Sequence, residues 1–99
     1  MREATIQKAI LNLLKTNGGY AVKVIQASKA GVPDIIACYK GRFIAIEVKT
    51  PKTKNNVSEL QWHNIELISN SGGKAIVAWD ISGVEKFLKE LDETISTSN

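Results

Sequence analysis

Residues 31–49 read GVPDIIACYKGRFIAIEVK, and their pattern predicts the central strands of the fold. It holds two short apolar runs on either side of Lys40-Gly41, and the second run ends in the letters EVK. Glycine supplies the positive φ that two-residue hairpin turns require, so the stretch predicts a β-hairpin. Cross-strand partners should then have residue numbers that sum to 81. A four-residue loop would preserve this register, whereas an odd-length loop or a bulge would break it.

The predicted register places two carboxylates, Asp34 and Glu47, directly opposite each other. Like charges at such positions are destabilising unless they share a proton, meet cations or bind a metal ion. Side chains alternate along a strand, so Lys49 should share the face of Glu47. Carboxylate oxygens suit Mg²⁺ or Mn²⁺, and a nearby lysine can stabilise a phosphate or position a water. We therefore expect a metal site here, the alternative being an ordinary charged end of a half-exposed strand.

Composition sets the outer limits of the prediction. A chain of 99 residues with 43% hydrophobic content is expected to form one compact domain, residues 1–99. The single cysteine, Cys38, excludes an internal disulfide, and its place in an apolar run predicts a small buried side chain. The sequence shows no signal peptide and no run of membrane-spanning length, so we expect a soluble intracellular protein.

Basic side chains give a further hint, because thirteen Lys and Arg exceed ten Asp and Glu for a formal net charge of +3. Cations that follow the acidic motif or lie in the loops and the hairpin tip are candidates for phosphate contacts. These candidates are Lys29, Lys40, Arg42, Lys52 and Lys54. The alternative for the lysines after the motif is a solvated loop without a partner.

Two helices flank the hairpin in sequence and supply two more polar candidates. Residues 2–16 carry apolar side chains at helical spacing and end at Asn17-Gly18-Gly19. Glu3 suits the positive end of this helix, yet it could instead reach the acidic site. Residues 57–71 predict a second helix whose Ser58 and Gln61 form a capping box. Gln61 lies on the apolar side of that helix, so it either serves the cap or contacts the acidic site.

The remaining segments complete a mixed α/β arrangement. Residues 20–26 predict a strand, and residues 74–79 predict a strand that is covered on both faces because it is almost continuously apolar. Ser82 and Glu85 predict a capping box for a last helix that runs to about Ile95, with a frayed end beyond it. The predicted order is α-β-β-β-α-β-α, a mixed four-stranded sheet flanked by helices, without an internal repeat or a linker.

These residues carry a family resemblance. The GVPD and EVK motifs resemble the PD-(D/E)xK nuclease superfamily, whose restriction-endonuclease-like core has the order αβββαβ. Glu3 in the first helix, the GxPD form and Gln61 in the following helix resemble the VRR-NUC family, the virus-type replication and repair nucleases. The resemblance covers about residues 2–79, and the C-terminal helix lies outside it.

The resemblance implies a Mg²⁺- or Mn²⁺-dependent endodeoxyribonuclease, a phosphodiester hydrolase. Asp34, Glu47 and the Val48 carbonyl would bind the metal, Lys49 would orient or activate the water, and Glu3 and Gln61 would complete the site. Small relatives in phages and bacteria resemble Holliday junction resolvases of DNA repair. We therefore expect a cytoplasmic homodimer, in a bacterial cell or a phage-infected host, that acts on branched DNA such as a four-way junction or a flap. Candidate interface elements are Trp62, Trp79 and the last helix, although core packing explains Trp79 equally well.

Two other functions fit the same residues. One is a non-catalytic nucleic-acid-binding module that keeps the fold and the basic loop, and the other is a restriction-type nuclease that acts on linear duplex. Cleavage of branched and linear DNA, with and without metal, distinguishes the three. His63 is expected at the surface because it leaves the apolar side of its helix.

Overall fold

A computed structural model describes residues 2–50 and 57–97, apart from the side chains of residues 96 and 97. Its elements follow the predicted order. They are α1 (Glu3–Thr16), β1 (Tyr20–Lys23), β2 (Ile35–Tyr39), β3 (Arg42–Val48), α2 (Glu59–Asn70), β4 (Lys74–Ala78) and α3 (Ile81–Thr97). None of the helices in the described part of the chain is both long enough and apolar enough to cross a membrane.

The sheet has the strand order β1-β2-β3-β4. The first three strands are antiparallel and β4 runs parallel to β3, so the sheet is mixed as predicted. The hairpin register is confirmed, because its partners run from Tyr39 and Arg42 at the turn to Ile35 and Ile46. Lys40 and Gly41 both have positive φ, 48° and 79°, the conformation that matches a two-residue turn to the twist of its strands.

One face of the sheet carries the main core. Helices α1 and α3 contact each other, and their apolar residues form a single cluster with the buried side chains of β2 and β3. Helix α2 packs against β3 and β4 instead. Because Ile44, Ile46 and Val48 alternate with Ala45 and Glu47 along β3, the buried glutamate lies on the α2 face.

Two expectations about burial are wrong. Cys38 is exposed, since α2 does not extend over β1 and β2 on the face to which Cys38 points. Strand β4 lies at the edge of the sheet and most of its residues are only half-buried. The strand with the most buried residues is β3, where the last five residues are all buried. An apolar sequence alone does not distinguish an edge strand from a central one.

Some element ends and one helix cap also differ from the prediction. Strand β1 ends at Lys23 rather than at residue 26, although the Val24 N–H still donates to the Asp34 carbonyl at 2.7 Å. Helix α3 begins at Ile81 and extends to Thr97, so its predicted end was too early. Its first turn is held by Asp80, whose Oδ1 accepts hydrogen bonds from Gly83 N and the Ser82 hydroxyl, each at 2.9 Å. The capping box at Ser82 was therefore wrong, because Asp80 is the acceptor.

Candidate active site

Asp34 and Glu47 meet at the open end of the hairpin. Asp34 lies one residue before β2, so the observed register carries it opposite Glu47 on the α2 face. The Val48 N–H donates to Asp34 Oδ2 at 2.8 Å, which fixes the aspartate against β3. Within a β-strand, the N–H and the C=O of one residue point towards the same neighbouring strand. The Val48 carbonyl therefore leaves β3 on the side of Asp34.

Glu47 is a buried carboxylate, with only 3% of the residue exposed. Its Oε2 accepts a hydrogen bond from Gln61 Nε2 at 3.0 Å and lies 3.9 Å from Lys49 Nζ. Its Oε1 is buried and has no hydrogen-bond partner. This carboxyl therefore has one oxygen that is bonded and one that is free to accept a ligand.

Burial, which is the largest cause, and the negative charges of Asp34 and Glu3 together raise the pKa of Glu47 from 4.5 to about 7, against the opposing effect of the Lys49 ammonium. A buried carboxyl beside another negative charge is harder to ionise, so Glu47 keeps its proton to a higher pH than an isolated glutamate. A bound cation would favour the charged form that the proton now neutralises. The sequence predicted this unfavourable proximity of two carboxylates when its register placed Asp34 opposite Glu47.

Gln61 serves two partners at once. Its backbone N–H donates to Ser58 Oγ at 3.1 Å and its Oε1 accepts from Ser58 N at 2.9 Å, so the predicted capping box is confirmed. The same side chain donates to Glu47 through Nε2. The two alternatives, a cap or a contact with the acidic site, are both realised. The start of α2 is thereby tied to the acidic pair.

The donor set at this end fits a hard divalent cation. Within residues 2–50 and 57–97, no three His, Cys, Asp or Glu side chains lie close enough to hold a metal by themselves. Mg²⁺ is nevertheless commonly bound through one or two carboxylates, together with waters and substrate phosphates. Asp34 and the unpartnered Glu47 Oε1 would supply two carboxylate ligands, and the Val48 carbonyl would supply a further oxygen. Glu3, half-buried at the start of α1, approaches from the other helix.

The glycine of the GVPD motif has a packing reason. Gly31 has a φ of +82°, and a Cβ added there would lie 2.8 Å from Leu60 Cγ and 2.9 Å from Asn64 Nδ2. Asn64 donates from Nδ2 to the carbonyls of Ala30 and Leu60, at 3.3 and 2.9 Å. The loop before Asp34 therefore packs directly on α2, the helix that carries Gln61.

Comparisons with known proteins give the family. A family model described as archaeal Holliday junction resolvase (Hjc) matches residues 2–99. The chain belongs to the Hjc family. "Putative nuclease p44" of Acyrthosiphon pisum secondary endosymbiont phage 1 is 33% identical to this Hjc-family chain over 64 residues, which are 64% of the chain and 69% of that protein.

Solved structures agree with this assignment. Two structures described as VRR_NUC domains superpose on the Hjc-family chain with TM-scores of 0.75 and 0.72 at 24% and 22% identity. They cover 88% and 91% of this chain and 94% and 87% of their own chains. The Hjc Holliday junction resolvase of Archaeoglobus fulgidus has a TM-score of 0.57 at 25% identity, over 78% of this chain and 67% of its own. The chain is thus a nuclease of the Hjc family that shares the fold of the VRR_NUC domains, the expected restriction-endonuclease-like α/β core.

The structure separates the basic candidates of this Hjc-family chain into different regions. Lys40 and Arg42 lie at the hairpin tip, about 17 Å from Glu47 at the rise of a β-strand. Lys40 Nζ is 2.8 Å from Asp92 Oδ1, an acceptor that it shares with the Tyr39 hydroxyl. Lys29 is exposed at the rim of an apolar groove beside α2. Lys52 and Lys54 lie outside the described residues.

Sequence reasoning missed the buried amides of Asn64 and Gln7, which lie in the helices that carry Gln61 and Glu3. Asn64 follows Gln61 by three positions, and Gln7 follows Glu3 by four, so each lies one helical turn from a recognised candidate. A polar amide within an otherwise apolar helical stripe is the signal that could have found them. Trp62 and His63 are exposed and Trp79 is partly exposed, so core packing alone does not account for Trp79.

Proposed function

We propose that this chain is a divalent-cation-dependent endodeoxyribonuclease that selects branched DNA, in the manner of a Holliday junction resolvase. The observation that carries the proposal is the convergence of Asp34, Glu47 and Lys49 at the open end of the hairpin. The nuclease family supplies the reaction class, and its description names the junction as the substrate. The protein would act in the cytoplasm, where its DNA lies.

Three groups of the chain would hold the cation, which is Mg²⁺ with Mn²⁺ as a substitute. They are the carboxylates of Asp34 and Glu47 and the carbonyl of Val48. A cation bound there supplies charge neutralisation at the scissile phosphate and lowers the pKa of the attacking water. Asp34 is fixed by the Val48 N–H and Glu47 by the Gln61 amide, so the chain offers these oxygens without rearranging them.

Lys49 would serve the phosphate and the water. Its side chain is 13% exposed, and its backbone N–H donates to the Ala78 carbonyl at 2.9 Å, which anchors it beside β4. An ammonium held in a partly buried position stabilises negative charge more strongly than one in bulk water. Gln61 would keep Glu47 oriented, and Glu3 would add a carboxylate from α1 towards the same site.

Contacts with DNA would come from basic residues around this end of the molecule. Lys29 is exposed on the loop that precedes the GVPD motif, and Lys52 and Lys54 follow the EVK motif in sequence. Lys40 and Arg42 would bind phosphates only on a DNA arm that extends along the hairpin to its tip. A branched substrate has such arms, whereas a short linear duplex bound at the site does not require them.

A second copy of the chain would pair two active sites to cut two strands. The support is an apolar surface of the sheet, which lies on the same face as α2 but beyond the part that this helix covers. It is composed of Tyr20, Val22, Ile36, Cys38 and Phe43. Tyr20 is 72% exposed and Phe43 46% exposed. Contiguous exposed apolar side chains of this kind mark interaction sites. The surface also adjoins the groove beside α2, which includes Pro33 next to Asp34.

Cleavage assays test the activity. Wild type is incubated with a four-way junction, a flap, linear duplex and single strands, each with Mg²⁺, Mn²⁺ or EDTA. We expect cutting of the branched DNAs that requires metal, and a loss of at least roughly 100-fold in Asp34→Asn and Glu47→Gln while DNA binding persists. The matched control is Asp92→Asn, which removes a carboxylate at the other end of the hairpin and should cut like wild type.

The outcomes separate the three functions. Equal cleavage by wild type and both site variants would refute the assigned residues. Metal-independent binding without cutting of any substrate would favour a binding module, and preferential sequence-specific cutting of linear duplex would favour a restriction-type nuclease.

Analytical ultracentrifugation tests the second copy. We expect wild type to sediment as a dimer and Phe43→Lys to sediment as a monomer, because a charge on the apolar sheet surface would be buried without a partner. The control is Trp62→Lys, which introduces the same charge at a residue that is 50% exposed on α2. A dimer that is lost in Trp62→Lys but kept in Phe43→Lys would move the interface to α2.

A further inference from the structure

Gln7 is buried in a way that packing does not explain. Only 8% of the residue is exposed, and its Oε1 is buried without a hydrogen-bond partner. Its neighbours in the buried stripe of α1 are Ile6, Ile10 and Leu14. A buried acceptor that lacks a donor destabilises the fold, and an apolar side chain of similar size would not carry that cost. A glutamine here therefore calls for a partner.

The position of Gln7 in α1 points its amide towards the acidic end. Residues four apart share one face of a helix, so Gln7 lies one turn after Glu3. Helical side chains lean towards the N-terminus, which carries the Gln7 amide back over the turn of Glu3. Glu3 in turn lies close enough to Glu47 to influence its ionisation. The amide is thus directed from α1 to the end of the sheet where the carboxyls meet.

A second unpartnered atom supports this reading. In the described parts of the chain, two buried side-chain oxygens lack a hydrogen-bond partner, and they are Gln7 Oε1 and Glu47 Oε1. Both atoms are acceptors, and both residues belong to the elements that form the acidic end. A ligand that presents only donors would satisfy both.

The water shell of a divalent cation is such a ligand. Water bound to Mg²⁺ through its oxygen presents its hydrogens outwards, and Mg²⁺ retains several waters when proteins bind it. An amide oxygen accepts from these waters without adding a further negative charge beside Asp34, Glu47 and Glu3. A glutamate at position 7 would accept equally well but would increase the repulsion among the carboxylates.

We propose that Gln7 is a positioning residue of the metal site, whose Oε1 accepts a hydrogen bond from a water of the bound cation. This inference rests on the proposed function, because it requires a cation at Asp34 and Glu47. It assigns the buried amide of α1 a role that neither its burial nor its helix position provides.

The test replaces the amide with an apolar side chain of similar shape and measures binding of Mn²⁺ by calorimetry and electron spin resonance, without DNA. We expect Gln7→Met to weaken Mn²⁺ binding by 10- to 100-fold, the range typical of residues that act on a metal through its ligands. The melting temperature of the metal-free variant should rise by roughly 5 °C, because an unsatisfied acceptor is removed. The opposite signs of the two changes separate a site role from a structural one.

The control is Ile10→Met, which changes the next buried residue of the same stripe and should leave Mn²⁺ affinity unchanged. Equal Mn²⁺ affinity in wild type and Gln7→Met would overturn the inference, whatever the melting temperature does. If Gln7→Met does not fold, Gln7→Asn serves instead, since it keeps the amide but shortens its reach. Unchanged affinity in that variant would also overturn the inference. A wild type that binds no Mn²⁺, or binds it equally in Asp34→Asn, would refute the metal site itself.

Discussion

Each end of the β2–β3 hairpin has a carboxylate beside it, and the surroundings shift the pKa values of these two groups in opposite directions. At the turn, Asp92 of α3 is exposed and accepts hydrogen bonds from the Tyr39 hydroxyl and the Lys40 ammonium, both at 2.8 Å. These donors lower the pKa of Asp92. At the open end, Glu47 is buried beside Asp34, and its pKa is raised to about 7. The charged form of Asp92 is therefore stabilised, whereas the charged form of Glu47 is destabilised.

The difference separates structural residues from those of the site. The two hydrogen bonds to Asp92 Oδ1 join α3 to the hairpin tip, as expected of a contact that stabilises a fold. Glu47 retains an unpartnered buried oxygen and an unfavourable charge, although an amide or an apolar residue would fit without either cost. Perturbed carboxyls of this kind are concentrated at functional sites. The open end is therefore the end of the hairpin with the unfavourable electrostatics that are expected of a candidate functional site.

The largest expected effect on stability is at the open end. Because the Glu47 pKa lies above its ordinary value of 4.5, the folded state holds a proton that the unfolded state loses between pH 4.5 and about 7. Metal-free wild type should therefore lose stability as the pH rises through this range. Glu47→Gln cannot lose a proton and should be more stable than wild type at pH 8 by about 2–3 kcal/mol. Urea denaturation in EDTA at pH 4 and pH 8 measures the difference.

The comparison predicts the opposite sign at the turn. Asp92 has a lowered pKa, so its contribution is present above the ordinary carboxyl range and is lost as the pH falls through its folded pKa. Asp92→Asn should therefore be less stable than wild type at pH 7, and the two should converge in acid. If Glu47→Gln were less stable than wild type at pH 8, the charged Glu47 carboxylate would not destabilise the fold, and the two ends of the hairpin would not differ in this respect.

A smaller effect is expected from the Tyr39 hydroxyl. The ring of Tyr39 is buried, with 1% of the residue exposed, and Tyr39→Phe keeps the ring while it removes the donor to Asp92. Because Asp92 retains Lys40, the cost should be about 1 kcal/mol in the free energy of unfolding, measured by urea at pH 7. Cleavage should be unchanged, since the hydroxyl lies at the far end of the hairpin.

Tyr20→Phe is the matched control for this change. Its hydroxyl belongs to a residue that is mostly exposed, so its removal should change the free energy of unfolding by less than about 0.5 kcal/mol. Equal stability of wild type and Tyr39→Phe would mean that the contact with Asp92 contributes nothing to the fold.

Local chemistry in the sequence determined the hairpin, its register and the start of α2. The period of two along β2 and β3 and the Lys40-Gly41 turn depend only on neighbouring residues, and so does the Ser58–Gln61 cap. The same register places Asp34 opposite Glu47. The GVPD and EVK motifs that contain these residues were sufficient to indicate the nuclease family. These features needed no knowledge of how the helices pack.

The packing of the helices on the sheet determines which helical side chain contacts Glu47 and which surfaces remain exposed. Gln61 contacts Glu47 because α2 packs on the face of β3 that carries this glutamate, and Gln7 is buried because α1 packs on the sheet as well. Helix α2 covers β3 and β4 but not β1 and β2, so Cys38 in β2 is exposed where its apolar neighbours predicted burial. Periodicity defines the faces of each element, whereas the partner that covers a face depends on contacts between residues far apart in the chain.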